Sequence, residues 1–436
     1  MIKPTKFRWI VLAIIFITYT INYADRTNIG IALPFIQNEF HISNFEAGAI
    51  ASFFFLGYAI SQIPAGFALG KLGLRAIVSI SIIGFSFFTY LIGTASSASM
   101  LKWFRLGLGL CEGPTPVGLT TTINNWFPTK EKATAVGVYI ASTMFAPIIV
   151  PTICVWIAMT YGWRWMFFLF AIPGFIMAII WYIFIRTHPE QSKYVNETEA
   201  EYIKNGKLEQ NNQNDEFISM GFLDRLIRIK EVVKLETNLQ VFKSWNLWGN
   251  TIAYFMMVSV LYGLMTWIPS YLVKEQGFSF TQMGFIAAAP WIGGLIGCLL
   301  GGWISDKLLN KRRKPTMLLT ALSTCVMMVV MLNIPNNSTA VALSLFATGF
   351  LINIGWPAFT AYPMGLANST VYPVAISLVN TGGNLGGFVS PMLAGALLDM
   401  FGNYGSVFAY FGIAALIGLI MILLIDEPVD KIPTGK

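Results

Sequence analysis

Twelve apolar stretches, each close to twenty residues long, constrain the fold of this chain more than any other feature. A helix rises 1.5 Å per residue, so about 20 apolar residues cross the roughly 30 Å hydrocarbon core of a bilayer. The stretches fall at 9–33, 46–69, 76–95, 100–122, 134–158 and 165–185, and again at 245–272, 281–304, 316–334, 339–362, 371–396 and 403–425. Of the 436 residues, 55% are hydrophobic and only 11% charged. Soluble domains carry about 25% charged residues, so a soluble globule of this composition could not cover its surface. The fold class expected is an all-α membrane protein, with twelve transmembrane helices in two six-helix halves. Residues 1–186 form the first half, 187–244 a cytoplasmic linker, and 245–436 the second half with a short tail.

The formal charge of +7 does not mark a nucleic-acid binder. The basic residues collect in short connections on one side of the predicted spans: Lys3, Lys6, Arg8, Lys71, Arg75, Lys130, Lys132, Lys193, Lys243, Lys307, Lys311, Arg312, Arg313, Lys314, Lys431 and Lys436. The opposite side has Lys102, Arg164 and Lys274. By the positive-inside rule, both termini and the linker are expected in the cytoplasm. The basic N-terminus ahead of an apolar run resembles a signal peptide. That run is too long, however, and Asp25 and Arg26 interrupt it, so a retained first span is expected. Within the linker, Gln210–Asp215 reads as a disordered tether. Phe217–Lys243, which mixes Leu, Ile and Val with Lys and Arg, reads as an amphipathic helix on the inner membrane surface. Cys111, Cys154, Cys298 and Cys325 fall in apolar runs without metal spacing, and His41 and His188 lie in connections. Neither a metal site nor an enzyme active site is expected, and no cofactor beyond a coupling ion.

Away from the span ends, four charges interrupt the apolar spans: Asp25 and Arg26 in the first, Arg105 and Glu112 in the fourth. Each costs at least roughly 2.5–3.5 kcal/mol at the bilayer centre on insertion scales, so such residues are kept for a use. A structural clamp between two helices needs one acid and one base, and two of each exceed it. Arg105 and Glu112 are two turns apart, close to one face and about 10 Å from each other along the axis. Asp25 and Arg26 are adjacent and point about 100° apart, so at most one faces a given partner. With both acids ionised, the four charges cancel. With both protonated, two positive charges remain and attract an anion. Protons would therefore bind first and unmask arginine, and a carboxylate substrate would fill the vacancy.

Within its spans the second half offers neutral polar positions, among them Asn353, Trp356, Thr360, Tyr362, Asn380, Thr381 and Asn384, with Tyr254 and Tyr262 in the seventh span. Asn380 and Asn384 share a helix face. Such a wall suits the hydroxyls of a polyhydroxylated substrate, and it would equally serve hydrogen bonding between helices.

The halves echo each other. Gly66-x-x-x-Gly70-Lys71-Leu72-Gly73-Leu74-Arg75 follows the second span and Gly302-x-x-x-Asp306-Lys307 the eighth. Tyr161-Gly162-Trp163 precedes the sixth span and Phe401-Gly402-Asn403 the twelfth. Duplication of this kind marks secondary transporters with a midplane site. A glycine-led basic turn after spans two and eight resembles the major facilitator superfamily. Asn22-Tyr23-Ala24-Asp25-Arg26, Tyr58 with Gln62 and Pro64, and Arg105 with Glu112-Gly113 resemble its anion:cation symporter family, which includes bacterial galactonate, glucarate and hexuronate carriers. The resemblance implies that Asp25 and Glu112 are proton-coupling acids and that Tyr23, Arg26, Tyr58 and Arg105 shape a substrate carboxylate site, with Gln62 beside them. It implies that Gly66, Lys71, Gly73, Arg75, Gly302 and Asp306 belong to gating turns. Gly70 stands where the superfamily usually has an aspartate, which weakens that turn's contact. In span five, where galactonate-type carriers place a glutamine at the site, this chain reads Ala141-Ser142-Thr143-Met144, and the shorter polar groups there, Thr143 among them as a candidate substrate contact, point to a different or bulkier substrate.

The function expected is proton-coupled uptake of a small organic anion, a sugar acid such as galactonate, glucarate or a hexuronate, by a monomeric carrier in the plasma membrane. An organophosphate/phosphate antiporter would want arginines from both halves, and span seven has none. A drug/proton antiporter would carry a Gly-Pro motif that 134–158 lacks. A membrane sensor of the same fold that binds without transporting, and sodium in place of the proton, remain as alternatives.

Overall fold

The computed structural model describes residues 4–208, 220–221, 224–225, 227–310, 312–368 and 370–429. Lys3, Lys311, Lys431, Lys436 and the stretch Gln210–Asp215 lie outside them. The chain divides into two compact units, Met1–Ile42 with Ala49–Gln213 and Ser43–Gly48 with Asn214–Lys436.

The first unit contains α1 (Phe7–Phe40), most of α2 (Asn44–Leu72), α3 (Leu74–Thr94), α4 (Ala98–Glu112), α5 (Pro114–Trp126), α6 (Thr129–Tyr161), α7 (Trp163–Phe184) and α8 (Glu197–Leu208). The second contains α9 (Asn238–Lys243), α10 (Trp245–Lys274), α11 (Phe280–Ile286), α12 (Ala289–Trp303), α13 (Lys314–Leu332), α14 (Ser338–Ile354), α15 (Trp356–Leu366), α16 (Tyr372–Phe401) and α17 (Tyr404–Leu424). Among the described residues, 10 helical runs are long and apolar enough to cross a membrane. The predicted second and fourth spans are α2 and the α4–α5 run. Side chains begin these helices where the orphan backbone N–H groups need acceptors: Ser97 accepts from Met100 N, Asn337 from Thr339 N and Ala340 N, and Asn403 from Ser406 N.

The two units repeat one packing scheme. In the first, α1 lies along α6 and α3 along α7; in the second, α10 lies along α16 and α13 along α17. The connections repeat too. Gly162 (φ 93°) joins α6 to α7, and Gly402 (φ 69°) joins α16 to α17. A side chain at either would be forced into a strained backbone region, which is why glycine recurs there. Glycines also let backbones meet. A β-carbon at Gly109 of α4 would lie 2.0 Å from the Phe54 carbonyl oxygen of α2, and one at Gly297 of α12 would lie 2.1 Å from that of Phe350 in α14.

The linker is built differently from expectation. Its first part folds as α8, and the Glu199 carboxylate accepts from the backbone N–H of Phe7 (3.0 Å) and Arg8 (3.3 Å), the open end of α1. Burial pushes the Glu199 carboxyl up, but the donors from Thr5, Phe7 and Arg8 outweigh it and hold the group below its ordinary range. The stretch read as one amphipathic helix at 217–243 is instead broken among its described residues into turns, a short strand and a short helix. Strand β1 (Ile229–Glu231) pairs in parallel with β2 (Glu427–Val429) of the tail, and only α9 is helical within a described element. The backbone of this stretch finds partners elsewhere in the unit: Val232 N donates to Val429 O (3.2 Å), Leu235 N to Leu366 O (2.8 Å), and Asn368 N to Leu235 O (3.1 Å), which a free surface helix would not do.

Candidate functional site

The four charges inside the spans of the first unit sit where α1 and α4 meet. α1 carries Asn22 to Asn28 through the interior, and α4 presents Arg105 and ends at Glu112. Gly113 then Pro114 break the run into α5, because proline cannot continue the preceding hydrogen-bond ladder.

Arg26 and Glu112 form a buried ion pair, with side chains 3% and 0% exposed. Arg26 Nη2 (3.1 Å) and Nε (3.2 Å) both donate to the same oxygen, Glu112 Oε2. Arg26 Nη2 also reaches Asn22 Oδ1 at 3.3 Å. Asn22 is the other side chain that hydrogen-bonds the Glu112 carboxylate. The Arg26 guanidinium carbon lies 4.5 Å from the Tyr23 ring centre, 4.6 Å from Tyr58 and 5.1 Å from Phe54. Three aromatic rings thus hold the cation in place independently of its carboxylate.

Asp25 points elsewhere, as adjacent positions on a helix require. Its Oδ2 accepts from Thr89 Oγ1 of α3 at 2.8 Å and its Oδ1 from Asn28 Nδ2 at 3.3 Å. Arg105 does not reach that carboxylate. Its Nη1 donates to the backbone oxygen of Asp25 (3.0 Å) and its Nη2 to that of Ala51 (3.4 Å), while the guanidinium lies 4.8 Å from the Phe54 ring centre. Arg105 Nε is buried without a partner. Of the two arginines expected around a carboxylate, Arg26 holds one within the protein, and Arg105 ties the backbones of α1 and α2 together from α4.

The other expected residues separate into groups. Tyr23 and Tyr58 stand against Arg26, and Gln62 is half-buried one turn beyond Tyr58 on α2. Thr143 returns its hydroxyl to the Ile140 carbonyl (2.7 Å) of its own helix. In the second unit, Asn353 is buried; its Nδ2 bonds Gly349 O (2.8 Å), and its Oδ1 has no partner. Trp356 packs on Tyr254 with ring centres 5.2 Å apart. Asn384 Nδ2 donates to Asn380 O at 2.9 Å, so these two share a face as their spacing requires. Tyr362 is buried and donates to Asp426 O at 2.5 Å, a tie to the tail.

Among the expected gating residues, Gly73 takes φ 81° between α2 and α3. Arg75 Nε donates to Tyr182 O (2.6 Å), and its guanidinium lies 3.8 Å from that ring centre. Asp306 sits in a π-helical turn, Ile304–Leu308, and pairs with Arg313 Nη1 at 2.6 Å. A β-carbon at Gly302 would meet nothing, whereas one at Gly301 would lie 1.8 Å from Ile354 O. Gly301 is therefore the glycine required for contact. Gly66 and Lys71 lie in the last two turns of α2, outside the described side chains.

Sequence reasoning missed Thr89, Asn28, Tyr19 and Tyr139. Asn28 was available from its i+3 spacing to Asp25. The Tyr19 and Tyr139 rings stack at 4.6 Å beside Tyr23. Thr89 gave no signal, since a hydroxyl in a span is ordinary. Among the described residues, no group of three or more His, Cys, Asp or Glu could hold a metal ion.

The profile described as Major Facilitator Superfamily matches residues 15–388 and 311–436. The chain belongs to the Major Facilitator Superfamily. It is 29% identical to a D-galactonate transporter of Escherichia coli O6:H1, over 99% of this chain and 98% of that one. It is also 29% identical to a probable galactarate/D-glucarate transporter of Bacillus subtilis, over 100% of this chain and 95% of that one. A D-xylose-proton symporter shares the fold, with a TM-score of 0.73 at 15% identity over 97% of this chain and 98% of that one. The protein is thus a membrane transporter and not an enzyme. In this fold, α2 and the α4–α5 run join the other helical runs as twelve spans.

Proposed function

We propose that this protein takes up a small organic anion, a sugar acid of the galactonate, glucarate or hexuronate kind, by proton-coupled symport with alternating access. The observation that carries the reading is the buried Arg26–Glu112 pair, in which one carboxylate oxygen takes both guanidinium bonds. A proton arriving on Glu112 removes its charge and leaves Arg26, still caged by Tyr23, Tyr58 and Phe54, able to form a two-point bond with a substrate carboxylate. Loss of that proton restores the pair and releases the substrate. Anion and proton then depend on each other through one arginine. Tyr254, Trp356, Asn380 and Asn384 supply the neutral groups that bond the substrate's hydroxyls. The carrier works as a monomer in the plasma membrane, with both termini cytoplasmic. The relatives' substrates and the charge balance of the first unit support this reading.

The test is uptake of labelled galactonate, glucarate, glucuronate and a small aromatic acid into proteoliposomes, with and without an inward proton gradient. Accumulation of one sugar acid only with the gradient is expected. Binding without uptake would leave a sensor. Exchange for phosphate without a gradient would point to an antiporter, and a requirement for sodium would replace the proton.

A further inference from the structure

We propose that Thr89 on α3 is a positioning residue for Asp25 and sets the pH range over which coupled transport runs. The proposal rests on the symport reading above. Buried threonines at 115 and 320 reach Ser81 and the Leu351 carbonyl on other helices, while those at 122, 251, 266 and 348 return their hydroxyl to the carbonyl four residues back, on Gly118, Leu247, Tyr262 and Ser344. Thr89, 1% exposed, donates across helices to Asp25 Oδ2 at 2.8 Å. Asp25, also 1% exposed, has Asn28 Nδ2 as its other side-chain donor, at 3.3 Å. Arg105, which could have neutralised it, gives its hydrogens to the backbone oxygens of Asp25 and Ala51. The ionised Asp25 carboxylate is therefore held by two neutral donors.

The charged or titratable groups around Asp25 are Arg26 beside it on α1, Arg105 and Glu112 on α4, and Cys154 on α6. The one charged residue of α3, Arg75, is fourteen residues from Thr89 and is held by Tyr182, so α3 meets Asp25 with the Thr89 hydroxyl. That hydroxyl can serve both protonation states. With Asp25 ionised it donates. With Asp25 protonated it accepts the acid's O–H, and its own hydrogen turns to the Phe85 carbonyl, four residues back on α3. The bond to the ionised form is the stronger of the two, so the hydroxyl favours proton release. Valine has the same shape and cannot do this. With Thr89→Val, Asp25 keeps its proton to a higher pH and gives it up more slowly.

The experiment is the pH dependence of gradient-driven uptake in proteoliposomes, using the sugar acid that wild type accumulates. Thr89→Val is expected to move the half-maximal pH about one unit alkaline and to lower the maximal rate. Its KM in substrate-for-substrate exchange should stay within about twofold of wild type, because Thr89 touches neither Arg26 nor Glu112. Thr89→Ser should restore the wild-type profile. If valine does not yield folded protein, Thr89→Ala carries the same test. An unmoved pH profile in an active variant lacking the hydroxyl overturns the role of Thr89. Wild-type uptake without any proton dependence overturns the symport reading instead, so the two failures are distinct.

Discussion

α4 of the first unit and α14 of the second are built alike and used differently. Each meets a neighbouring helix through glycine set against a carbonyl, Gly109 on Phe54 in one and Gly297 on Phe350 in the other. Each breaks at a glycine followed by proline, at Gly113–Pro114 and at Gly355 before Pro357. Yet α4 ends in a buried Glu112 met by Arg26, whereas α14 ends in a buried Asn353 whose amide turns back to Gly349. The difference lies in what the partner helix brings. α1 carries an arginine to the acid, while α10 carries Tyr254 against Trp356. A charge is costly inside a membrane unless a countercharge or polar groups meet it, and only the first copy of the scaffold brings an arginine to the end of this helix, so that copy holds an acid there and the other a neutral amide.

Several experiments would break or sharpen this contrast. The largest effect is expected from Glu112→Gln, which should abolish accumulation against a gradient but leave exchange of substrate for substrate. A neutral amide removes the proton step and not the pathway. Normal gradient-driven accumulation by that variant would remove Glu112 from coupling. The two arginines come next. Arg26→Lys should raise the KM for the acid at least about tenfold, because an ammonium cannot bond a carboxylate at two points. Arg105→Lys should impair transport severely and lower thermal stability as well, since the carbonyls of Asp25 and Ala51 lose their shared donor. Equal stability losses in both variants would erase the distinction between a substrate arginine and a structural one.

Packing should be indifferent to charge. Gly109→Ala and Gly297→Ala should each cost about 1–3 kcal/mol, read as similar falls in melting temperature. A much larger loss in the first unit would mean that its packing depends on the ion pair. Asn384→Ala should raise the KM of polyhydroxylated acids by about 0.5–1.5 kcal/mol worth of affinity and leave simple carboxylates unchanged. A uniform change across the panel would return Asn384 to packing alone.

The smallest effects concern two helix starts capped by acids. Glu199 caps α1 and is held below the ordinary carboxylate range, so its contribution is present above about pH 4.3 and is lost as pH falls through its lowered value. Glu427 accepts from the backbone N–H of Arg313 (2.8 Å) and Lys314 (2.7 Å), and burial pushes its carboxyl up to about 7. Its contribution is present at low pH and is lost as pH rises through that value. Melting temperature against pH should flatten on the acid side in Glu199→Gln and near neutrality in Glu427→Gln. The same slope in both variants would contradict the assignment.

Much of this was legible in the chain. Twelve apolar runs imply spans because a bilayer admits nothing else of that length and polarity. Asp25, Arg26, Arg105 and Glu112 stood out because a charge in such a run is costly. The 100° between adjacent residues already required Asp25 and Arg26 to face different partners. Less legible was the stretch 217–243, where residues 229–231 pair as a strand with the tail some two hundred residues away and only 238–243 forms a helix of its own. A sequence pattern does not register a partner that distant.

The sequence by itself determined that the chain is a duplicated membrane transporter with the charges inside its spans confined to one half, because hydropathy, charge cost and repeat spacing are local quantities. Only the tertiary structure decided which charge meets which. Glu112 takes Arg26, Asp25 takes Thr89, and Arg105 takes backbone oxygens. Those choices depend on how α1, α3 and α4 are turned against one another, and helix rotation is set by packing across the whole bundle, which no single helix encodes.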